Sequence, residues 1–344
     1  MNRLSASLIA VGVWLVGVPG GANAQSMDVV GTRAAGMAGA FVGVADDASA
    51  SYWNPGGLAA GAYFSLVLDG GAEQAVPDQS SRGRKQSSFL MSVAMPALAV
   101  TYYRLHQSRA TPFQLLVPAN GGSPSPVVSS ELPVRVDSLA THHLGITLVQ
   151  SVFQNVAVGT TLKVVRGIAA TDQSGFVTAE TALDSADVRG RASNEFDLDV
   201  GAMATFGTLK AGITVRNVRE PEFRLPEETR TVHLQRQARA GLSYALSPTW
   251  LVAADVDLLE TDDVFGERRD VAVGVEGRLT RRLSVRSGVH FNTAESAVDI
   301  DETDRALAFG GSFALRAAMF VDGAAIVGGD RGGRGWRIGA RFLY

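Results

Sequence analysis

Beyond residue 62 the chain alternates apolar and polar residues one by one, in short runs separated by turn-forming residues. Successive side chains of a strand point to opposite faces, so each run reads as a strand with one apolar and one polar wall. In the last run Trp336, Ile338, Ala340, Phe342 and Tyr344 share one face, and Arg337, Gly339 and Arg341 share the other. Fourteen such runs are predicted. The first seven span Tyr63–Leu68, Ser87–Met95, Leu98–His106, Asp137–Val149, Val156–Ala169, Glu195–Phe206 and Leu209–Val218. The other seven span Leu234–Leu246, Trp250–Leu259, Asp270–Leu279, Leu283–Asn292, Ala306–Leu315, Ala318–Val327 and Gly335–Tyr344.

The connections alternate in length. Gly207-Thr208, Ser247-Pro248-Thr249 and Thr280-Arg281-Arg282 are tight, whereas 69–86, 107–136, 170–194, 219–233 and 293–305 are long. Short turns on one side of a membrane and long loops on the other give this rhythm, and an even strand count returns both termini to the short-turn side. After the N-terminus no window holds the ~18 consecutive apolar residues of a spanning helix. A closed barrel is the other architecture that satisfies every backbone N–H and C=O in hydrocarbon. The expected fold is therefore all-β: a 14-stranded antiparallel transmembrane β-barrel, placed in the outer membrane of a Gram-negative-type bacterium, with lipid and lipopolysaccharide around it.

Arg3, the apolar run Leu8 to Val18 and the small residues Ala22-Asn23-Ala24 form a secretory signal with an A-x-A cleavage site. The expected organisation is a signal peptide over 1–24, an N-terminal plug over 25–62 and the barrel over 63–344. Zero cysteines, 38 glycines and 46% apolar residues fit a barrel exported through the periplasm. With 31 basic and 34 acidic residues there is no basic field for nucleic acid.

The tight hairpins set which residues face each other. With Phe206 opposite Leu209, Asp199 falls opposite Arg216; with Leu246 opposite Trp250, Arg239 falls opposite Asp257; with Leu279 opposite Leu283, Glu276 falls opposite Arg286. All three candidate ion pairs lie on the polar wall. The other wall of these strands carries Phe196, Leu198, Val200, then Val252, Ala254, Val256, then Val271, Val273, Val275. A charge on the lipid side at mid-membrane costs ~2–4 kcal/mol, so the polar wall is the lumen.

Asp197 with Asp199 and Asp255 with Asp257 have the i, i+2 spacing that puts both carboxylates on one wall beside bases, a structural arrangement and not acid–base machinery. His142 and His143 are adjacent in a strand, point to opposite faces and cannot chelate one metal. His290 is expected inward beside Arg286 and Glu276. No spacing assembles a catalytic site, and no cofactor or metal is expected.

Between the signal and the first strand runs Gly31 to Leu58, GTRAAGMAGAFVGVADDASASYWNPGGL. Its glycines do not make a phosphate loop, because no strand–loop–helix unit surrounds them. Small residues allow tight packing, Asp46 or Asp47 can cap a short helix reaching Trp53, and Pro55 stops that helix. A ring of fourteen strands is wider than its own side chains fill, so the segment is expected inside it.

This run resembles the N-terminal hatch of the FadL-type outer-membrane transporters of long-chain fatty acids and aromatic hydrocarbons. The strand count and the stretch FGGSFALRAAMFVDGAAI, Phe309 to Ile326, are of the same kind. The resemblance implies a hatch involving Gly36, Gly39, Phe41, Asp46, Asp47, Asn54, Pro55 and Gly56. The family's Asn-Pro-Ala turn is here Asn54-Pro55-Gly56, and glycine at the third position is expected to loosen it.

The resemblance further implies passive uptake of a hydrophobic small molecule, caught among outer loops and released when the hatch shifts. Candidate capture residues are Phe113, Leu115, Leu116 and Val117 in the 107–136 loop, and Phe176 and Val177 in the 170–194 loop. The family's sideways exit depends on a kinked third strand, and Leu98 to His106 holds neither glycine nor proline to force one. Shorter barrels with this N-terminal pattern also resemble the PorV-like proteins of type IX secretion and related conjugation-associated proteins, which dock a protein partner. Transport requires an apolar pocket against the hatch, whereas a docking barrel tolerates a polar interior. An open diffusion porin is a third reading, opposed by the hatch.

Overall fold

The computed structural model describes residues 29–76, 82–112, 133–185, 192–224, 231–263, 266–294, 305–328 and 333–344. The signal region and the candidate residues Phe113, Leu115, Leu116 and Val117 lie outside the described residues. Among the described residues no helix is long and apolar enough to cross a membrane.

The strands are β1 (Ser65–Ala75), β2 (Gly83–Met95), β3 (Leu98–Pro112), β4 (Pro133–Phe153), β5 (Val156–Phe176), β6 (Ala192–Phe206) and β7 (Leu209–Arg216). A short ribbon follows, β8 (Glu222–Arg224) with β9 (Thr231–His233), then β10 (Gln237–Ser247) and β11 (Trp250–Asp257). A second ribbon, β12 (Thr261–Asp263) with β13 (Gly266–Arg268), precedes β14 (Asp270–Arg278), β15 (Leu283–Asn292), β16 (Arg305–Arg316), β17 (Met319–Gly328) and β18 (Arg334–Leu343). The ribbons apart, fourteen strands close one ring in sequence order, and β1 pairs with β18 to complete it.

The alternation decides the faces as expected. Val273, Leu144, Ile146, Leu162 and Ile338 are 44–58% exposed on the outer wall, while Asp199, Asp255, Arg239 and Arg286 are buried on the inner one. An outer surface this apolar is what a bilayer accepts and water does not.

The wall is taller on one side. β7 and β11 have 8 residues and β4 and β5 have 21, about 27 Å against about 70 Å of strand at 3.3–3.4 Å per residue. Sequence periodicity starts β4 late because its upper part, with Val134, Val136, Leu139 and Ala140 buried, is covered on both faces, and it ends β5 early because the polar run Thr171, Asp172 and Gln173 breaks the alternation. Outside, α3 (Ala179–Ser185) lays Ala179, Ala182 and Leu183 on Ala110, Val134 and Val136. Inside, Phe223 of β8 and Leu234 cover Leu139, Val165 and Ala169. The hairpin registers hold with one adjustment: a bulge at Leu246 places Ser247, not Leu246, opposite Trp250, and Arg239 still faces Asp257.

Candidate functional site

Residues 29–61 pack against inward-facing residues of the strands. They hold two single-turn helices, Thr32–Ala35 and Ala50–Trp53, and a 3-10 turn, Pro55–Ala60. Short elements suffice because the segment takes its hydrogen bonds from the wall. Phe41 N–H and Val42 N–H both donate to Asp255 Oδ2 at 2.8 Å. Ala48 N–H donates to Ser65 Oγ at 2.9 Å, and Ser92 Oγ–H to Ala48 O at 2.8 Å. Ser243 Oγ–H donates to Gly43 O at 2.7 Å, and Thr32 donates to Asp69 through both its backbone and its hydroxyl. Strands β1, β2, β10 and β11 therefore hold the segment.

Glycines of the wall let its backbone approach. A Cβ on Gly201 would lie 2.7 Å from Pro55 Cδ, one on Gly274 2.8 Å from Met37 Cβ, and one on Gly310 2.9 Å from Gly36 Cα. Gly159, Gly212, Gly241 and Gly288 meet the segment in the same way. From the segment's side, a Cβ on Gly43 would lie 2.8 Å from the Leu242 carbonyl carbon.

The Asn54-Pro55-Gly56 turn differs from the expectation. Asn54 Nδ2 donates to Val42 O and Ala202 O, each at 3.0 Å, and its Oδ1 accepts from Gly56 N–H at 3.1 Å. A Cβ on Gly56 would lie 2.9 Å from Ala157 O and Met203 N, so glycine here fits the turn against β5 and β6 and does not loosen it. Capping also differs: Asp47 Oδ1 accepts from Ser49 N–H at 3.0 Å, while Ser49, the residue before the helix Ala50–Trp53, makes no side-chain cap. Asp46 pairs instead with Arg33 and, at 3.6 Å, with Lys210. Pro55 follows the helix end and opens the 3-10 turn. Phe41 and Trp53 pack edge to face at 5.9 Å. Gly36 touches Gly310 and Arg286, and Gly39 accepts a long 3.4 Å bond from Arg239 Nη1.

Arg239 meets Asp257 and Arg286 Nε meets Glu276 Oε2 at 2.6 Å, as the registers require. Glu276 is shared: Arg33 Nε of the N-terminal segment reaches the same oxygen at 2.8 Å. Asp199 is a correction. The β6–β7 ladder carries Val200 opposite Val215, one step from Asp199 and Arg216, yet Asp199 binds Lys163 Nζ at 2.7 and 2.8 Å. Lys163 also meets Asp197 at 3.1 Å and donates to the Asn217 Oδ1 at 3.0 Å. Arg216 lies over the Tyr52 ring at 3.5 Å and donates to Gln237 and Tyr103. The hairpin rule considered only β7 as the neighbour of β6, whereas β5, joined to β6 by a long connection, supplies the nearer cation.

His143 is inward and stacked on Tyr103 at 4.1 Å, and His142 is on the outer wall, as strand alternation requires. His290 is inward beside Arg268 rather than Glu276. Val177 packs into the apolar cluster under α3, so it belongs to a packed surface and not to an open capture loop. Phe176 ends β5.

Three cavities bounded by described residues are small and bordered by polar side chains. One lies between Tyr52, Leu105, His143, Arg216, Asn217, Leu234 and Gln237; one is lined by Glu73, Arg84, Arg268 and His290; one by Thr32, Arg33, Asp69 and Arg341. Each has room for about one water. Next to the first, the inner wall is apolar at Leu139, Val165 and Ala169 beneath Phe223 and Leu234. The ladder of β3 with both neighbours runs without a register shift from Leu98 to Ala110, so no side opening interrupts the wall there.

Over residues 128–257 the chain matches the family described as F plasmid transfer operon, TraF, protein. No curated protein matches it. Its fold is similar to that of a Pseudomonas aeruginosa FadL homologue, at 10% identity and a TM-score of 0.58 over 92% of this chain and 99% of that one. It is similar to the CymD monoaromatic hydrocarbon channel at 15% identity and a TM-score of 0.58, over 92% and 97%. For the Pseudomonas putida toluene transporter TodX the values are 11% and 0.54, over 90% and 95%. At these identities the likeness concerns architecture: the chain has the closed fourteen-strand fold of the FadL-type barrels.

Proposed function

We propose that the protein sits in a bacterial outer membrane and passes small hydrophobic molecules passively, with residues 29–61 as the plug that gates the lumen. The observation that carries this reading is the apolar recess of Leu139, Val165 and Ala169 on the inner wall, close to the buried ion pair of Lys163 with Asp199. Phe223 and Leu234 occupy it in this conformation. A solute of aromatic-ring size that displaced them would bury ~150–250 Å². At ~25 cal/mol per Å² that is about 4–6 kcal/mol before losses, weak enough for release. The neighbours titled hydrocarbon channel and toluene transporter support the same substrate class.

The test is uptake of labelled toluene or oleate by intact Gram-negative cells that express the chain. Uptake above that of empty cells, abolished by Val165→Asp in the recess, is expected; a rate equal to that of empty cells contradicts transport. A second reading, a docking component of a conjugation or secretion apparatus, is favoured by the match over residues 128–257 and by the ion-paired interior. Under it, deleting the gene lowers plasmid transfer between cells while hydrocarbon uptake is unchanged.

A further inference from the structure

Among the described residues, a cluster of basic side chains stands on the outer wall at the edge of its apolar band. Arg104 of β3 pairs in register with His142 of β4, which pairs with Arg166 of β5. Strand alternation places all three on the outward face, in the same set as Val100, Tyr102, Leu144, Ile146, Leu162 and Val164. Directly opposed side chains on one face have Cβ atoms ~4.5–5.5 Å apart, so three basic side chains stand side by side.

Their height follows from the ladders. The tight turns Met95–Leu98 and Phe153–Val156 mark the inner edge. Beneath the row the outward positions are apolar: Tyr102, Val100 and Leu98 on β3, then Leu144, Ile146 and Leu148 on β4. Above it Ala110 and Val136 are covered by α3, whose Asp184 reaches Lys85 at 2.6 Å. The row thus lies where the apolar band ends, on the side of the long loops. Phe89 and Tyr102 stand there as interfacial aromatics, their rings 6.4 Å apart.

Like charges set directly opposite one another are destabilising, and an arginine at a lipid boundary needs a counter-charge. Among the described residues neither Arg104 nor Arg166 has a carboxylate within ion-pair distance. His142 Nδ1 is engaged by the Tyr102 hydroxyl at 2.7 Å, which leaves Nε2 as its free ring nitrogen. Two guanidinium forks flanking an imidazole suit a phosphate monoester, since arginine binds phosphate oxygens in pairs.

We propose that Arg104, His142 and Arg166 form a binding site for the phosphate of a phosphorylated glycolipid of the outer leaflet, with the acyl chains lying on Leu144, Ile146, Leu162 and Val164. The site rests on the outer-membrane placement proposed above. It orders a lipid against β3–β5 below the overhanging helix α3.

The test uses the full chain, purified in detergent, with lipid retention read by native mass spectrometry. Bis-phosphorylated lipid A, dephosphorylated lipid A and phosphatidylglycerol are the probes. The wild-type chain is expected to retain bis-phosphorylated lipid A at least about tenfold more than either other lipid, and Arg104→Gln with Arg166→Gln to abolish that preference. Arg305→Gln, elsewhere on the outer wall, is expected to leave it unchanged. Arg104→Lys with Arg166→Lys keeps the charge and guards against a folding failure; partial retention is expected, with the folded state checked by the heat-dependent gel shift of barrels. Equal retention of dephosphorylated lipid A, or of all three lipids by a folded Gln variant, overturns the site. Equal retention of phosphatidylglycerol overturns the glycolipid assignment. A wild-type chain that does not float with lipid vesicles indicts the membrane placement instead.

Discussion

Replacing Asn54 by alanine should release the N-terminal segment from the wall without unfolding the barrel. Asn54 is fully buried and serves three backbone groups: its Nδ2 donates to Val42 O and Ala202 O, and its Oδ1 accepts from Gly56 N–H. Alanine deprives all three of this partner. A buried polar group left unpaired costs about 1–3 kcal/mol, and with partial relaxation the total is about 3–5 kcal/mol. All of it falls on the docked state, since a released segment meets water. At 1.4 kcal/mol per tenfold, the open population should rise by a factor on the order of 10² to a few times 10³. Hydrogen–deuterium exchange of the intact protein in detergent reads this directly: amides of residues 41–58 should lose that much protection, while β14 and β15 keep theirs. Asn54→Asp retains the acceptor for Gly56 but sets a buried carboxylate oxygen against the Val42 and Ala202 carbonyls, so it should open the segment at least as far as alanine does. Protection of residues 41–58 reduced by less than about tenfold in the alanine variant would refute the claim that this turn holds the segment.

Lys163→Met leaves Asp197 and Asp199 buried without their ammonium, at a cost of about 3–5 kcal/mol in unfolding free energy; adding Asp199→Asn should recover a large part of it, and simply additive losses in that double-mutant cycle would rule out the coupling. Gly201→Leu drives a side chain into Pro55, so exchange protection of residues 50–60 should vanish while the barrel still shows its gel shift; a protected segment would show that the wall glycines are not needed for seating. Val273→Arg, on the outer wall, should cost ~2–4 kcal/mol when unfolding is measured in lipid vesicles, and a negligible effect would contradict the assignment of faces.

The barrel was legible wherever one face of a strand is wet and the other apolar. β14 and β15 follow their alternation, and the tight turns set Glu276 opposite Arg286. Legibility fails where both faces are covered. Val134, Val136, Leu139 and Ala140 are all buried, some beneath α3 outside and some beneath the ribbon inside, so no period of two marks that part of β4. The site was half legible for a related reason. Local hairpin geometry finds Arg239–Asp257, but Lys163 and Asp199 belong to strands joined by a long connection whose register the sequence does not set. Arg33 pairs with Glu276 across 243 residues. The match between wall glycines and the N-terminal backbone is a property of two distant surfaces, so Gly56 read as looseness in sequence and is close contact in the fold.

The central claim is a lipid-embedded ring whose lumen is closed by residues 29–61. Planar-bilayer recordings of the intact chain beside one lacking those residues test it most directly. The account predicts no steady current from the intact chain and a sustained conductance from the shortened one. A large steady current through the intact chain, or silence from a shortened chain shown to be folded and inserted, would contradict it.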